Sequence, residues 1–142
     1  MEFESYKQFW NHQAATPESA LAAVDGSASE EVVRITGRFT ARQVATAIEL
    51  NGDDRLLELG CGVGRIGREL APHCAHWIGV DISDKMISHA RERLGHLDNT
   101  AFHQLSRTAL DSLDDGSLTK ALAVAANAAP VAAAGRALTT VE

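Results

Sequence analysis

The eleven residues Leu57-Glu58-Leu59-Gly60-Cys61-Gly62-Val63-Gly64-Arg65-Ile66-Gly67 place a glycine cluster just behind a carboxylate. Glycine lets a backbone take positive φ and lets a ligand approach without meeting a Cβ. A cluster that opens a helix also presents free N–H groups and a partial positive charge, so an anionic group belongs there. Seventeen residues beyond Gly64, a short apolar run ends in Gly79-Val80-Asp81. A carboxylate at that point can accept hydrogen bonds from both hydroxyls of a ribose. The ligand this pattern calls for is a nucleoside with an anionic or carboxylate-bearing arm.

Two cofactor classes compete for that description, because Gly62 to Gly67 also fits the dinucleotide pattern G-x-G-x-x-G. Glu58, two residues before the first glycine, separates them. It would repel a pyrophosphate, yet it can pair, directly or through water, with the ammonium of a methionine moiety. S-adenosyl-L-methionine is therefore the favoured cofactor, and an NAD(P)-dependent oxidoreductase is the alternative. Each residue also has a plainer reading: Cys61 as a small filler, Asp81 as a charge at a helix N-terminus, Glu58 as a surface carboxylate.

These residues need strands and helices to hold them. Leu56, Leu57 and Leu59 form a short apolar run after Asp53-Asp54, which suits a buried strand. A helix over Arg65 to Ala71, stopped by Pro72, leads to a second strand over His76 to Val80. Ser83 or Asp84 caps the next helix, with Met86, Ile87, Ala90 and Leu94 on one face before Gly95. Thr100 to Leu105 reads as strand three. After a turn at Asp114-Asp115-Gly116, Leu118 to Ala125 reads as strand four. Alternation of this kind predicts an α/β fold, an open, mostly parallel sheet with helices on both faces. Upstream, Thr16-Pro17-Glu18 starts one helix, Glu30 to Ile35 forms another that stops near Gly37, and Thr40 with Gln43 caps a third ending at Asn51-Gly52. The expected organisation is a helical cap over residues 1–50, a cofactor-binding core over 51–126 and an alanine-rich tail over 127–142.

Glu58-Leu59-Gly60-Cys61-Gly62-Val63-Gly64 resembles motif I of class I, Rossmann-like S-adenosylmethionine-dependent methyltransferases, and Val80-Asp81-Ile82-Ser83 resembles their second motif. The similarity extends to Lys85 through Arg91 and upstream to Arg34-Ile35-Thr36-Gly37-Arg38. The resemblance implies that the backbone of Gly60, Cys61, Gly62 and Gly64 lies along the methionine part, Asp81 holds the ribose and Ile82 packs on the adenine. Glu58 would support the amino group, and Ser106 would stand in for the polar residue that touches the adenine amino group. The implied reaction is methyl transfer to an unidentified acceptor, expected to be a small molecule, with no general base identified. The chain departs from the family after Gly116-Ser117, where Leu118-Thr119 replaces an aromatic residue and an aspartate. Asn127-Ala128-Ala129-Pro130 only imitates the Asn-Pro-Pro-aromatic motif of amino-methylating relatives. The chain is accordingly expected to be C-terminally truncated, and binding of S-adenosylmethionine without turnover is the alternative function.

A length of 142 residues with 45% hydrophobic content fits one domain. A net charge of -6 argues against a nucleic-acid partner. The N-terminus has no signal-peptide pattern, and no apolar stretch reaches the ~20 residues of a membrane span. A cytoplasmic protein without membrane contact is expected. Cys61 and Cys74 read as reduced thiols, and His73, Cys74 and His76 lack a fourth ligand for a metal. An exposed edge on strand four would favour a homo-oligomer.

Overall fold

Strand β1 (Arg55–Leu59) runs through the middle of a four-stranded parallel sheet, flanked by β2 (His76–Asp81) and β4 (Lys120–Ala123), with β3 (Thr100–Gln104) beyond β2. This computed structural model describes residues 3–106, 113 and 116–124. The chain leaves β1 toward β2 and β3, then returns to the other side of β1 for β4. The reversal opens a crevice at the carboxyl ends of β1 and β4, where open α/β sheets bind ligands. In register, Glu58 lies opposite Gly79 and Leu59 opposite Val80.

Helices α1 (Phe3–Gln13), α2 (Pro17–Asp25) and α3 (Glu30–Ala47) precede the sheet. Thr16 and Ser19 satisfy each other's backbone N–H in a capping box, Pro17 fills the first turn, and Gly26 ends α2 at φ 77°. Ser29 caps α3. The sequence predicts a break at Gly37 and a new cap at Thr40, but α3 runs unbroken through both. A Cβ on Gly37 would lie 2.7 Å from the Arg65 carbonyl oxygen. That glycine is a close-packing residue inside the helix, and Thr40 is buried.

After β1, the helix expected from Arg65 is a single turn, α4 (Gly67–Leu70), followed by a 3-10 turn at Ala71–His73. Helix α5 (Asp84–Leu94) starts on Ser83, whose hydroxyl accepts from the Met86 N–H at 3.1 Å. One face of the sheet packs Leu56, Trp77 and Leu122 against Ala41, Val44, Leu70, Ile87 and Leu94, so α3, α4 and α5 share one core. The other face gathers Leu57, Ile78, Val80 and Ala121 under Leu113 and Leu118. The helical cover predicted for that face lies outside the described residues, as do the predicted turn at Asp114-Asp115, the end of strand four at Ala125 and the alanine-rich tail.

Candidate functional site

The loop after β1 folds back onto β2: the N–H groups of Gly60 and Cys61 both donate to the Val80 carbonyl, at 2.8 and 3.0 Å. Gly60 and Gly62 sit at φ 69° and 55°, a region that side chains with a Cβ rarely enter. Nothing lies within 4 Å of a Cβ built on Gly60, so its bare backbone faces open space. Gly64 packs instead against Leu94.

Asp81 closes the loop from the side. Its Oδ2 accepts from the Gly62 N–H and its Oδ1 from the Ser83 N–H, both at 2.9 Å. Burial pushes its carboxyl above the usual carboxylate value, and these backbone N–H groups partly offset the push. Asp81 lines a cavity of about 440 Å³ together with Gly60, Gly62 and Ile82, while Leu105 and Val124 enter from the ends of β3 and β4. Phe3, Tyr6 and Trp10 of α1 form its cover. No residue of α1 is fully buried; Trp10 packs on the cluster of Leu21, Val33, Val63 and Met86, and Asn11 accepts from the Ser83 hydroxyl at 2.6 Å and donates to Asp84 at 2.9 Å.

A second, smaller cavity of about 40 Å³ adjoins the first and shares Gly60 and Gly62 with it. Glu58 and Cys61 stand on its wall, as does Arg65. Glu58 is buried, and burial raises its carboxyl from 4.5 to about 8, against the lowering effect of the Trp77 N–H and of Arg65. Burial also pushes the Cys61 thiol up, with Glu58 and Asp81 adding to the effect. Arg65 is held on its far side by Asp25, at 3.6 Å, and Asp25 in turn accepts from the Thr36 hydroxyl at 2.7 Å.

The fold thus brings Glu58, Gly60, Cys61, Gly62, Asp81 and Ile82 around two adjoining cavities, whereas Ser106 is an exposed residue beside the Leu105 that lines the larger one. Sequence reasoning missed Arg65, Val24, Leu105 and Val124. Tyr6 and Trp10, which the sequence allows either to close over a cofactor or substrate or simply to pack, both line the larger cavity. The one available signal was the basic residue directly after the glycine loop.

Residues 56–141, more than half of the chain, match the family model for a methyltransferase domain. The chain belongs to the class I S-adenosylmethionine-dependent methyltransferases. Among relatives, it is 41% identical over 51 residues to an uncharacterized methyltransferase of Schizosaccharomyces pombe, covering 36% of this chain and 20% of that one. It is 38% identical over 69 residues to an 18S rRNA (guanine-N(7))-methyltransferase of Arabidopsis thaliana, covering 47% and 24%. The chain therefore spans about a quarter or less of these relatives' length. The fold matches a Haemonchus contortus phosphoethanolamine N-methyltransferase, solved with phosphoethanolamine and S-adenosylhomocysteine, at a TM-score of 0.65 and 18% identity over 85% of this chain and 25% of that one. It also matches the magnesium protoporphyrin IX methyltransferase of Synechocystis PCC 6803, solved with S-adenosylhomocysteine, at 0.60 and 21% over 87% and 58%. Among the described residues of this methyltransferase domain, no helix is long and apolar enough to cross a membrane.

Proposed function

We propose that this chain binds S-adenosyl-L-methionine across the two adjoining cavities and presents its methyl group to a small-molecule acceptor under α1. The observation that carries the reading is the meeting of Asp81 with the bare Gly60–Gly62 backbone at one cavity. Each Asp81 oxygen takes one backbone N–H, and a carboxylate has about four lone-pair sites in all, so two stay available for ribose hydroxyls. Ile82 offers an apolar wall to the adenine. In the smaller cavity the Glu58 carboxyl, which burial keeps protonated near neutral pH, stands with the cationic Arg65, a pair that suits the ammonium and carboxylate of an amino-acid end. A bound ammonium would favour the ionised form of Glu58.

S-adenosylmethionine supplies an activated methyl group, and the protein's share is alignment and exclusion of water. Phe3, Tyr6 and Trp10 give the cavity of about 440 Å³ an aromatic cover, which fits a small acceptor. An RNA acceptor, as named for the Arabidopsis relative, is disfavoured by the net charge of -6.

Calorimetric titration with S-adenosylmethionine, S-adenosylhomocysteine and NAD tests the cofactor: the first two bind and NAD does not, and equal binding of NAD overturns the reading. Incubation with methyl-labelled S-adenosylmethionine, a metabolite extract and total RNA tests the acceptor. Label in the small-molecule fraction supports the proposal, and label confined to RNA refutes it.

A further inference from the structure

Arg65 follows the glycine loop directly and lines the smaller cavity, yet what holds its side chain comes from the two helices just ahead of the sheet. Gly37 of α3 gives it room: a Cβ there would lie 3.0 Å from the Arg65 Cγ as well as against its carbonyl oxygen. Three residues on, the buried Thr40 hydroxyl accepts from Arg65 Nη1 at 3.4 Å. Asp25, the last residue of α2, faces the same nitrogen at 3.6 Å. Thr36 fixes that carboxylate by donating to its Oδ1 at 2.7 Å. Thr36 and Gly37 belong to the stretch from Arg34 to Arg38, so this upstream segment builds the seat of an arginine that stands on the site.

Two details separate the seat from an ordinary ion pair. Both contacts run through Nη1, and among the described residues Nε and Nη2 form no hydrogen bond. A guanidinium has five N–H donors, and a free edge of it can grip a carboxylate with two parallel bonds. Asp25, for its part, has a side chain only 8% exposed, and its Oδ2 is buried without a hydrogen-bond partner among the described residues. Leaving a buried acceptor unmet costs stability, and an apolar pair at these positions would hold the fold as well.

We propose that Asp25 is a positioning residue for the cofactor and acts through Arg65. Gly37 fixes the stem of the arginine and Asp25 holds Nη1, so that the remaining edge of the guanidinium meets the carboxylate of the amino-acid end. An arginine held in advance loses less rotamer freedom when the ligand arrives, which strengthens binding without a new contact. Val24, the neighbour of Asp25, lines both cavities, so the end of α2 stands beside the ligand. The inference rests on the reading of the site as a cofactor pocket given above.

Calorimetric titration of the full chain with S-adenosylhomocysteine and with 5′-methylthioadenosine, which keeps the nucleoside and lacks the amino-acid end, tests it. The wild type should bind the first at least roughly tenfold more tightly. Arg65→Met should remove most of that advantage and leave 5′-methylthioadenosine within about twofold. Asp25→Asn keeps an oxygen for the Thr36 hydroxyl and loses the charge, and it should cut the advantage by roughly three- to tenfold. Thr36→Val, which frees the Asp25 carboxylate without touching Arg65, should act in the same direction by a smaller factor. Added to Arg65→Met, Asp25→Asn should change nothing further, since a residue that acts through another is silent in its absence. Thermal melts fix a temperature at which every variant is folded.

The proposal is overturned, with the cofactor reading left in place, if Asp25→Asn leaves the advantage untouched, weakens both ligands alike, or costs as much in Arg65→Met as in the wild type. A wild type that binds 5′-methylthioadenosine as tightly as S-adenosylhomocysteine has the same consequence. A wild type that binds neither ligand overturns both.

Discussion

The indole N–H of Trp77 donates to the buried Glu58 carboxyl at 3.1 Å, which ties the carboxylate ahead of the glycine loop to the start of the neighbouring strand. The contact exists because Gly67 and Gly79 leave space for the ring: a Cβ on either would lie 2.2 or 2.4 Å from an indole carbon. Phe102 then closes the far side in an edge-on contact at 5.4 Å.

Glu58 makes stability depend on pH in a stated direction. Its folded value, about 8, is above the usual 4.5, so between those limits the folded chain holds a proton that the unfolded chain has released. Stability falls as pH rises through this window, by on the order of 1 kcal/mol per unit, and levels off above it. Glu58→Gln keeps an oxygen for the Trp77 N–H and cannot ionise, so its profile should be flatter and the variant should be the more stable protein at pH 8.5. Urea midpoints at pH 5, 7 and 8.5 give the answer, and parallel profiles would refute the assignment.

Asp81→Ala should weaken S-adenosylhomocysteine binding by roughly ten- to a hundredfold, the equivalent of losing hydrogen bonds to a charged group worth about 1.5–3 kcal/mol. The sequence alone suggests that the unliganded protein would be untouched. The two N–H groups that Asp81 accepts revise this, since their loss should lower unliganded stability by about 1–3 kcal/mol as well. Calorimetry at a temperature where the variant is fully folded isolates the ligand effect. Unchanged affinity there would leave Asp81 as a loop-holding residue only.

Gly67→Ala should destabilise the chain by roughly 1–3 kcal/mol, because the new methyl overlaps the buried Trp77 ring. Gly52→Ala is the control, since nothing lies within 4 Å of a Cβ there. If thermal melts show equal effects at both sites, the packing account of Gly67 is wrong.

Lys120 donates to Asp54 and to the Glu49 carbonyl, both at 2.7 Å, which clamps the start of β4 to the start of β1. Burial pushes the Asp54 carboxyl up, but Lys120, the Asn51 N–H and Thr119 together carry it below the usual 3.8. A group with a depressed folded value stabilises the fold above its unfolded value and loses that contribution in acid. Lys120→Met should cost about 3 kcal/mol at pH 7, and the gap from wild type should close as pH falls below about 4. A gap of constant size between pH 7 and pH 3 would count against the pair.

What was legible in the sequence was local. The glycine loop, the carboxylate at Asp81 and the caps at Thr16 and Ser83 are signals spread over a few residues, and the backbone itself carries them out. What was hidden depends on contacts between distant residues. Gly37 looks like a helix stop until Arg65 is seen against it, 28 positions further on. Glu58 was assigned to an ammonium from its spacing, but its burial and its bond to Trp77 follow from strand register. The aromatic residues of α1 could be read from the sequence either as closing over the cofactor or as plain packing, and only the packing of α1 against distant residues puts Tyr6 and Trp10 on the larger cavity.

The sheet order also sets a timetable. β1, which carries the glycine loop, finds its second neighbour in β4, whose first residue comes 64 positions after Leu56, the residue it pairs with. At synthesis rates of about 5–20 residues per second, that partner leaves the ribosome roughly 3–13 seconds later. Val124, which follows β4, completes the wall of the larger cavity. A nascent chain therefore exposes one open side of β1 for seconds, and the larger cavity has no wall on that side until Val124 has emerged.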